Sequence, residues 1–279
     1  MNSSLTKLPA IFDRAMHKKF ISKNIKHFQN HSFLFDQVSA NTLDFLDDIR
    51  ADFSDCLIYG FFTNTALINA KNITLYNLIE CQAKSTKRNI VESIICDEED
   101  INLNGKKFDL IISHLSLHFI NDVPGVLTCY LDALKPGGLF IANLFGDFTL
   151  QELRNALGLA DLEYYGGVFP RISPMISSKS AAELMQRSGF ANSIIQNNRI
   201  TVYYSSIKEL LNDIRFSGQS NCMYNRANDI PPKTFFKTAE KFYKEQYQTH
   251  DGKIPATFDI ISLHGFRDRA MQSIHEKLA

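Results

Sequence analysis

The chain carries no excess charge of either sign: 30 Lys and Arg are matched by 30 Asp and Glu over 279 residues. A broad nucleic-acid-binding or anionic-membrane surface needs a one-signed field, so the balance argues against both. Cysteine is scarce and scattered, at Cys56, Cys81, Cys96, Cys129 and Cys222. An odd number without a close pair fits neither a disulfide framework nor a zinc site, and no metal is expected. Long apolar runs are missing as well. Residues 1–9 hold no stretch of signal-peptide length, and no later run approaches a membrane span. These absences predict a protein of a reducing, cytoplasmic interior. No repeat, low-complexity tract or flexible linker divides the chain, so it is read as one elaborated domain.

The segment Lys107 to Ala142 is the most informative. Phe108-Asp109-Leu110-Ile111-Ile112-Ser113-His114 is a continuous apolar run, the pattern of a strand buried on both faces. Val123, Val126, Leu127, Tyr130, Leu131 and Leu134 then repeat at helical spacing. Lys135-Pro136-Gly137-Gly138 ends that helix and leads into Leu139-Phe140-Ile141-Ala142. Strand, helix and strand make a βαβ unit of a parallel sheet. Ligands of such sheets bind outside the carboxyl ends of the strands, here Ser113 to Asp122 and Asn143 to Phe148.

Other segments fill out an α/β order. Asp13 to Lys26 is a basic helix, and Phe33 to Ile49 an amphipathic helix placed over the ligand site. Cys56 to Tyr59, Ile73 to Tyr76 and Ile90 to Cys96 are the first three strands. Ser180 to Ser188 is a helix closed by Gly189, and Ile194 to Tyr204 is strand interrupted at Asn197-Asn198. The layout is N-terminal helices over 1–50, a core over 51–204, a helical insert over 205–255, and a last strand and tail over 256–279.

Phe108 to Ser113 with Leu115-Ser116-Leu117-His118-Phe119 and Leu134 to Gly138 resembles the fourth and fifth strands of the class I S-adenosylmethionine-dependent methyltransferases. Further blocks are similar to the complex I assembly arginine-hydroxylase branch, a relative of the malonyl-carrier-protein O-methyltransferases. They are Ile11-Phe12-Asp13-Arg14, Phe145-Gly146-Asp147, Glu152-Leu153-Arg154, Ser220-Asn221-Cys222 and Asn225-Arg226. The resemblance implies a Rossmann-like, seven-stranded, mainly parallel sheet with an antiparallel last strand. It also implies S-adenosylmethionine as cofactor and a complex I subunit as partner.

Carried over to this sequence, the cofactor contacts are Tyr59, Gly60, Asn77, Asp97, Glu98 and Ser113. The pattern departs at the first strand. Ile58 stands where an acid is usual, Phe62 and Asn64 replace two usual glycines, and Phe62 would fill the methionine space. The link onward to the second strand is short, which shrinks the first crossover helix. Asn77 replaces the ribose acid, with Glu80 one turn on; an amide oxygen can still accept hydroxyl hydrogen bonds. By composition alone Asp97-Glu98-Glu99 is a solvated acidic loop; the resemblance makes Asp97 the adenine-side acid.

His118 is the candidate catalytic residue, and a histidine bonded to backbone is the alternative. His114, His118 and Asp122 recur every four residues, as two histidines and a carboxylate around iron would on one helix. His114 closes a strand, however, so the spacing does not describe one helical face. Asn221, Asn225 and Arg226 form a polar loop expected to bind substrate, or else an ordinary capping segment. Two function classes follow: an enzyme modifying arginine or a carrier-bound acid, and a non-catalytic assembly protein with a degenerate cofactor loop.

Overall fold

A computed structural model describes residues 9–49, 51–63, 65–79, 89–103, 105–227 and 230–269. Seven strands form one sheet: β1 (Phe53–Gly60), β2 (Ala70–Asn77), β3 (Ile90–Ile95), β4 (Phe108–His114), β5 (Leu134–Phe145), β6 (Ala191–Tyr204) and β7 (Ile254–Phe266). Their order is β3-β2-β1-β4-β5-β7-β6. The first five are parallel, and β7 runs antiparallel between β5 and β6. The order reverses between β1 and β4, the switch point at which open α/β sheets leave a crevice.

The apolar runs are buried on both faces because each strand alternates between two cores. Cys56 and Ile58 of β1 with Leu110 and Ile112 of β4 face one cluster. Leu57 and Tyr59 with Ile111 face the other. The second cluster lies under α3 (Val123–Ala133) and α5 (Ser178–Arg187). Asp122 caps α3 by accepting from Gly125 N–H, and Pro124 stands in its first turn, where its missing N–H leaves no bond unmade.

The first cluster is covered by α2 (Phe33–Ile49) through Leu43 and Leu46. Between β1 and β2 the described residues hold only a 3-10 turn, Thr65–Leu67, so the shortened first crossover is observed. The first half of α2, through Leu34, Phe35 and Val38, packs in a third cluster with α4 (Gln151–Tyr165), α6 (Ile207–Phe216), α7 (Lys233–Tyr247) and β7. Ahead of α2, α1 (Arg14–Asn24) is capped by Asp13.

Two expectations are corrected. β6 runs unbroken through Asn197-Asn198, because it pairs with β7 along nearly its whole length and that ladder outweighs the low strand preference of asparagine. Leu134 begins β5 and does not end α3, with Lys135-Pro136-Gly137-Gly138 drawn into the strand beside a register shift against β4. Asn64, Glu80 and Cys81 lie outside the described residues.

Candidate functional site

β1 ends at Gly60 in the left-handed region, φ +96°, where a Cβ would stand 2.4 Å from the His114 carbonyl oxygen. Only glycine lets β1 turn this close to β4. The turn opens a cavity of about 30 Å³ floored by Tyr59, Gly60 and Asn77 and roofed by His17 and Ile21 of α1. Asn77 is buried, and its Oδ1 has no hydrogen-bond partner. A buried acceptor without a donor is costly in a native fold, and on the cavity floor it fits a hydroxyl-bearing ligand. Phe61, and not Phe62, lines this cavity. The Phe62 ring packs in the α2 cluster, its centroid 4.9 Å from that of His114.

The other cofactor candidates form separate structures. Glu98 is fully buried and accepts from Ser113 Oγ and Ser116 Oγ at 2.6 Å and Tyr130 Oη at 2.7 Å. Burial pushes the Glu98 carboxyl up against these three donors. Glu98 and Ser113 therefore bond to each other and do not line the cavity. Asp97 receives the Arg14 guanidinium, Nη2 at 2.7 Å and Nε at 3.1 Å from both oxygens. Burial raises its carboxyl, but Arg14 outweighs burial and holds the group below its ordinary value. Arg14 also donates to the Phe119 carbonyl and contacts His17 Nδ1, so α1 is tied over the strand ends.

His118 is buried between Phe119 and Phe145. Its Nδ1 accepts from Phe145 N–H at 3.4 Å, which leaves Nε2 to donate to Gln219 Oε1 at 2.8 Å. Burial lowers it to about 4, so the ring is neutral near pH 7. Both nitrogens are engaged within the protein, and the residue that reaches ligand space is Gln219. The iron-like spacing does not assemble a site: His114 Nε2 meets Ser39, His118 meets Gln219, and Asp122 caps α3.

A second cavity of about 150 Å³ adjoins the first, with Ser217 and Gln219 lining both. Phe33, Phe145 and Phe258 line it, together with the polar groups His31, Arg171, Asp213 and Asn221. Arg171 binds the fully buried Asp161 with both Nε and Nη2, its guanidinium 4.4 Å from the Phe235 ring centre. Asn221 reaches the wall with its amide bonded to the Pro170 carbonyl and Met223 N–H. Asn225 is exposed, Arg226 bonds the Met223 carbonyl, and neither lines the cavity. Their loop instead pairs with the N-terminal segment, Asp13 N–H to Cys222 O and Tyr224 N–H to Ile11 O. Cys222 is buried, and burial pushes its thiol up to about 12, which makes it inert. Arg14, His17, Gln219 and Asp213 were not singled out as site residues by sequence reasoning; only the Ile11-Phe12-Asp13-Arg14 block pointed to one of them.

Among the described residues no helix is long and apolar enough to cross a membrane. A methyltransferase domain model matches residues 59–142. The fold is similar to that of a Bacillus halodurans protein assigned as a methyltransferase, with a TM-score of 0.54, 11% identity, and coverage of 81% of this chain and 98% of that one. The malonyl-acyl-carrier-protein O-methyltransferase of Xylella fastidiosa is 29% identical over 184 residues, 66% of this chain and 60% of the relative. The mitochondrial arginine-hydroxylase NDUFAF5 of Mus musculus is 34% identical over 268 residues, 92% of this chain and 77% of the relative. By that extent of identity, on a seven-stranded methyltransferase fold, the chain belongs to the NDUFAF5 arginine-hydroxylase family.

Proposed function

We propose that the chain binds S-adenosylmethionine at the ends of β1 and β2 and modifies an arginine side chain of a partner protein, a complex I subunit being the partner the resemblance implies. The observation that carries this reading is the pair of adjoining cavities, one at the strand ends and one toward the insert, with Ser217 and Gln219 common to both walls. The ribose side fits, because Asn77 Oδ1 waits there unpartnered. On the adenine side Asp97 is held by Arg14, so a cofactor there would have to displace that guanidinium.

When bound, S-adenosylmethionine supplies a sulfonium-borne methyl group. Within the protein, Tyr59, Gly60 and Asn77 would hold it, and His118 would fix Gln219 at the boundary between the cavities. Most of the rate would come from placing the two reactants together in a water-poor space. The relative's hydroxylase name supports arginine as the residue acted on; methylation would take its carbon from the sulfonium, whereas oxygen addition would need dioxygen and a two-electron donor besides. We place the protein in a reducing compartment, the cytoplasm by its cysteines, although the relative is named as mitochondrial.

A second reading, a binding protein without catalysis, is favoured by the Arg14–Asp97 pair and by a first cavity far smaller than a nucleoside. Calorimetric titration with S-adenosylmethionine, with mass spectrometry of a co-expressed complex I subunit, separates the two. Cofactor binding with an oxygen or methyl added to arginine supports the enzyme. An unmodified subunit that co-purifies without cofactor binding supports the binder. Methylation of a carrier-bound acid, with no subunit captured, would overturn both.

A further inference from the structure

His31, between α1 and α2, and Asp213, in the last turn of α6, meet on the wall of the larger cavity with Nδ1 and Oδ1 2.5 Å apart. The Phe216 ring lies 4.8 Å from the imidazole centroid and holds it in place. With Nδ1 directed to Asp213, Nε2 is the ring nitrogen left for a ligand, and the buried Tyr204 hydroxyl lies against the same carboxylate. The rest of the wall is largely apolar, with Phe33, Phe145 and Phe258 among it. Of the other charged groups there, Arg171 is neutralised by Asp161, and Arg215 is exposed, where solvent and salt screen it.

We propose that the His31–Asp213 pair is the recognition site for the guanidinium of the target arginine, an inference that rests on the arginine-directed reading above. The Asp213 carboxylate beside the imidazole edge, on an otherwise largely apolar wall, suits a planar fork of N–H donors that is always ionised. The aliphatic stem of arginine suits the apolar wall, and a guanidinium plane stacks on phenyl faces. The chain already holds one guanidinium in this manner, Arg171 on Asp161 against Phe235. An ammonium would meet Asp213 as a point charge without matching the fork. An anionic acceptor would face the Asp213 charge directly.

The test is nitrogen NMR of the histidine rings in the full chain, with the His31 signals assigned from His31→Gln. Blocked arginine, with acetyl and methylamide ends, should shift the His31 resonances saturably in the millimolar range. Blocked citrulline, equal in shape but uncharged, should bind about tenfold or more weakly, because the charge-assisted bonds are lost. Asp213→Asn should remove the arginine effect. No His31 shift with arginine, an equal shift with citrulline, or an effect surviving Asp213→Asn would each overturn the proposal. The arginine-to-citrulline contrast in the unmodified protein decides the matter should Asp213→Asn not fold. Calorimetry with S-adenosylmethionine on the same sample keeps the readings apart. Cofactor binding without an arginine effect sinks only this site, and an arginine effect without cofactor binding sinks only the cofactor reading.

Discussion

Arg14 and Asp97, 83 residues apart in sequence, meet guanidinium to carboxylate at 2.7 Å over the carboxyl ends of the parallel strands. The contact joins the N-terminal helix to the loop after β3. It covers the acid that the resemblance assigns to the adenine side of a cofactor.

Arg14→Gln should therefore act in two directions. Removing one partner of a mostly buried pair costs about 2 kcal/mol of stability, read as a lower urea midpoint. The freed Asp97 should at the same time bind S-adenosylmethionine more tightly in calorimetry. A variant that is less stable and also binds more weakly would show that Arg14 helps hold the ligand.

The two adjacent phenylalanines should separate cleanly. Phe62 belongs to the core under α2, so Phe62→Ala should cost about 3–5 kcal/mol and leave cofactor affinity secondary to unfolding. Phe61 lines the smaller cavity, and Phe61→Ala should enlarge it and improve S-adenosylmethionine binding at a smaller cost in stability. The reverse ranking in thermal denaturation would refute this assignment.

Four buried histidines predict acid sensitivity. Burial lowers His17 and His114 to about 3 and His118 and His264 to about 4, each from an ordinary value of 6.5. Their folded values lie below the unfolded one, so their contribution is complete above pH 6.5 and is lost as pH falls toward the folded values. Each should subtract about 1.4 kcal/mol per pH unit across that window. Denaturant midpoints between pH 7 and 5 should fall, and less steeply in a folded His118→Gln variant. A flat profile would refute the buried, neutral state.

His118 should act through its neighbour. His118→Ala releases Gln219 from the boundary between the cavities and should lower arginine modification of a co-expressed subunit by about tenfold or more. Gln219→Ala should reproduce that loss in the mass spectrum. Full modification by Gln219→Ala would mean that the imidazole itself is the required group.

The strand pattern was readable because β1, β2, β4 and β5 sit between two cores, and double burial writes itself as continuous apolar runs. Phe33 to Ile49 was readable as a helix to its observed ends, since its apolar residues repeat at helical spacing. Tyr59, Gly60 and Asn77, which the resemblance singles out, come together around one cavity. What stayed hidden is long-range. His17 bonds Gly218 across 201 residues, and His118 bonds Gln219 across 101. Spacing cannot show such pairs. The surroundings of Glu98 stayed hidden for a related reason: its three donors come from β4, the following turn and α3, which close over it only in the folded chain.

The short link between β1 and β2 has a cost in the order of events during synthesis. Leu43 and Leu46 leave the ribosome before any strand they cover, and β4 and β5, which complete that core, emerge far later. Until then the helix has only β1 and β2 to dock on, and Ile58 and Ile73 lack the β4 and β5 side of their core. Contacts of such long span fold slowly, so chaperone demand should fall on the nascent chain until β5 is made. A fragment begun at β1 would keep that exposure permanently.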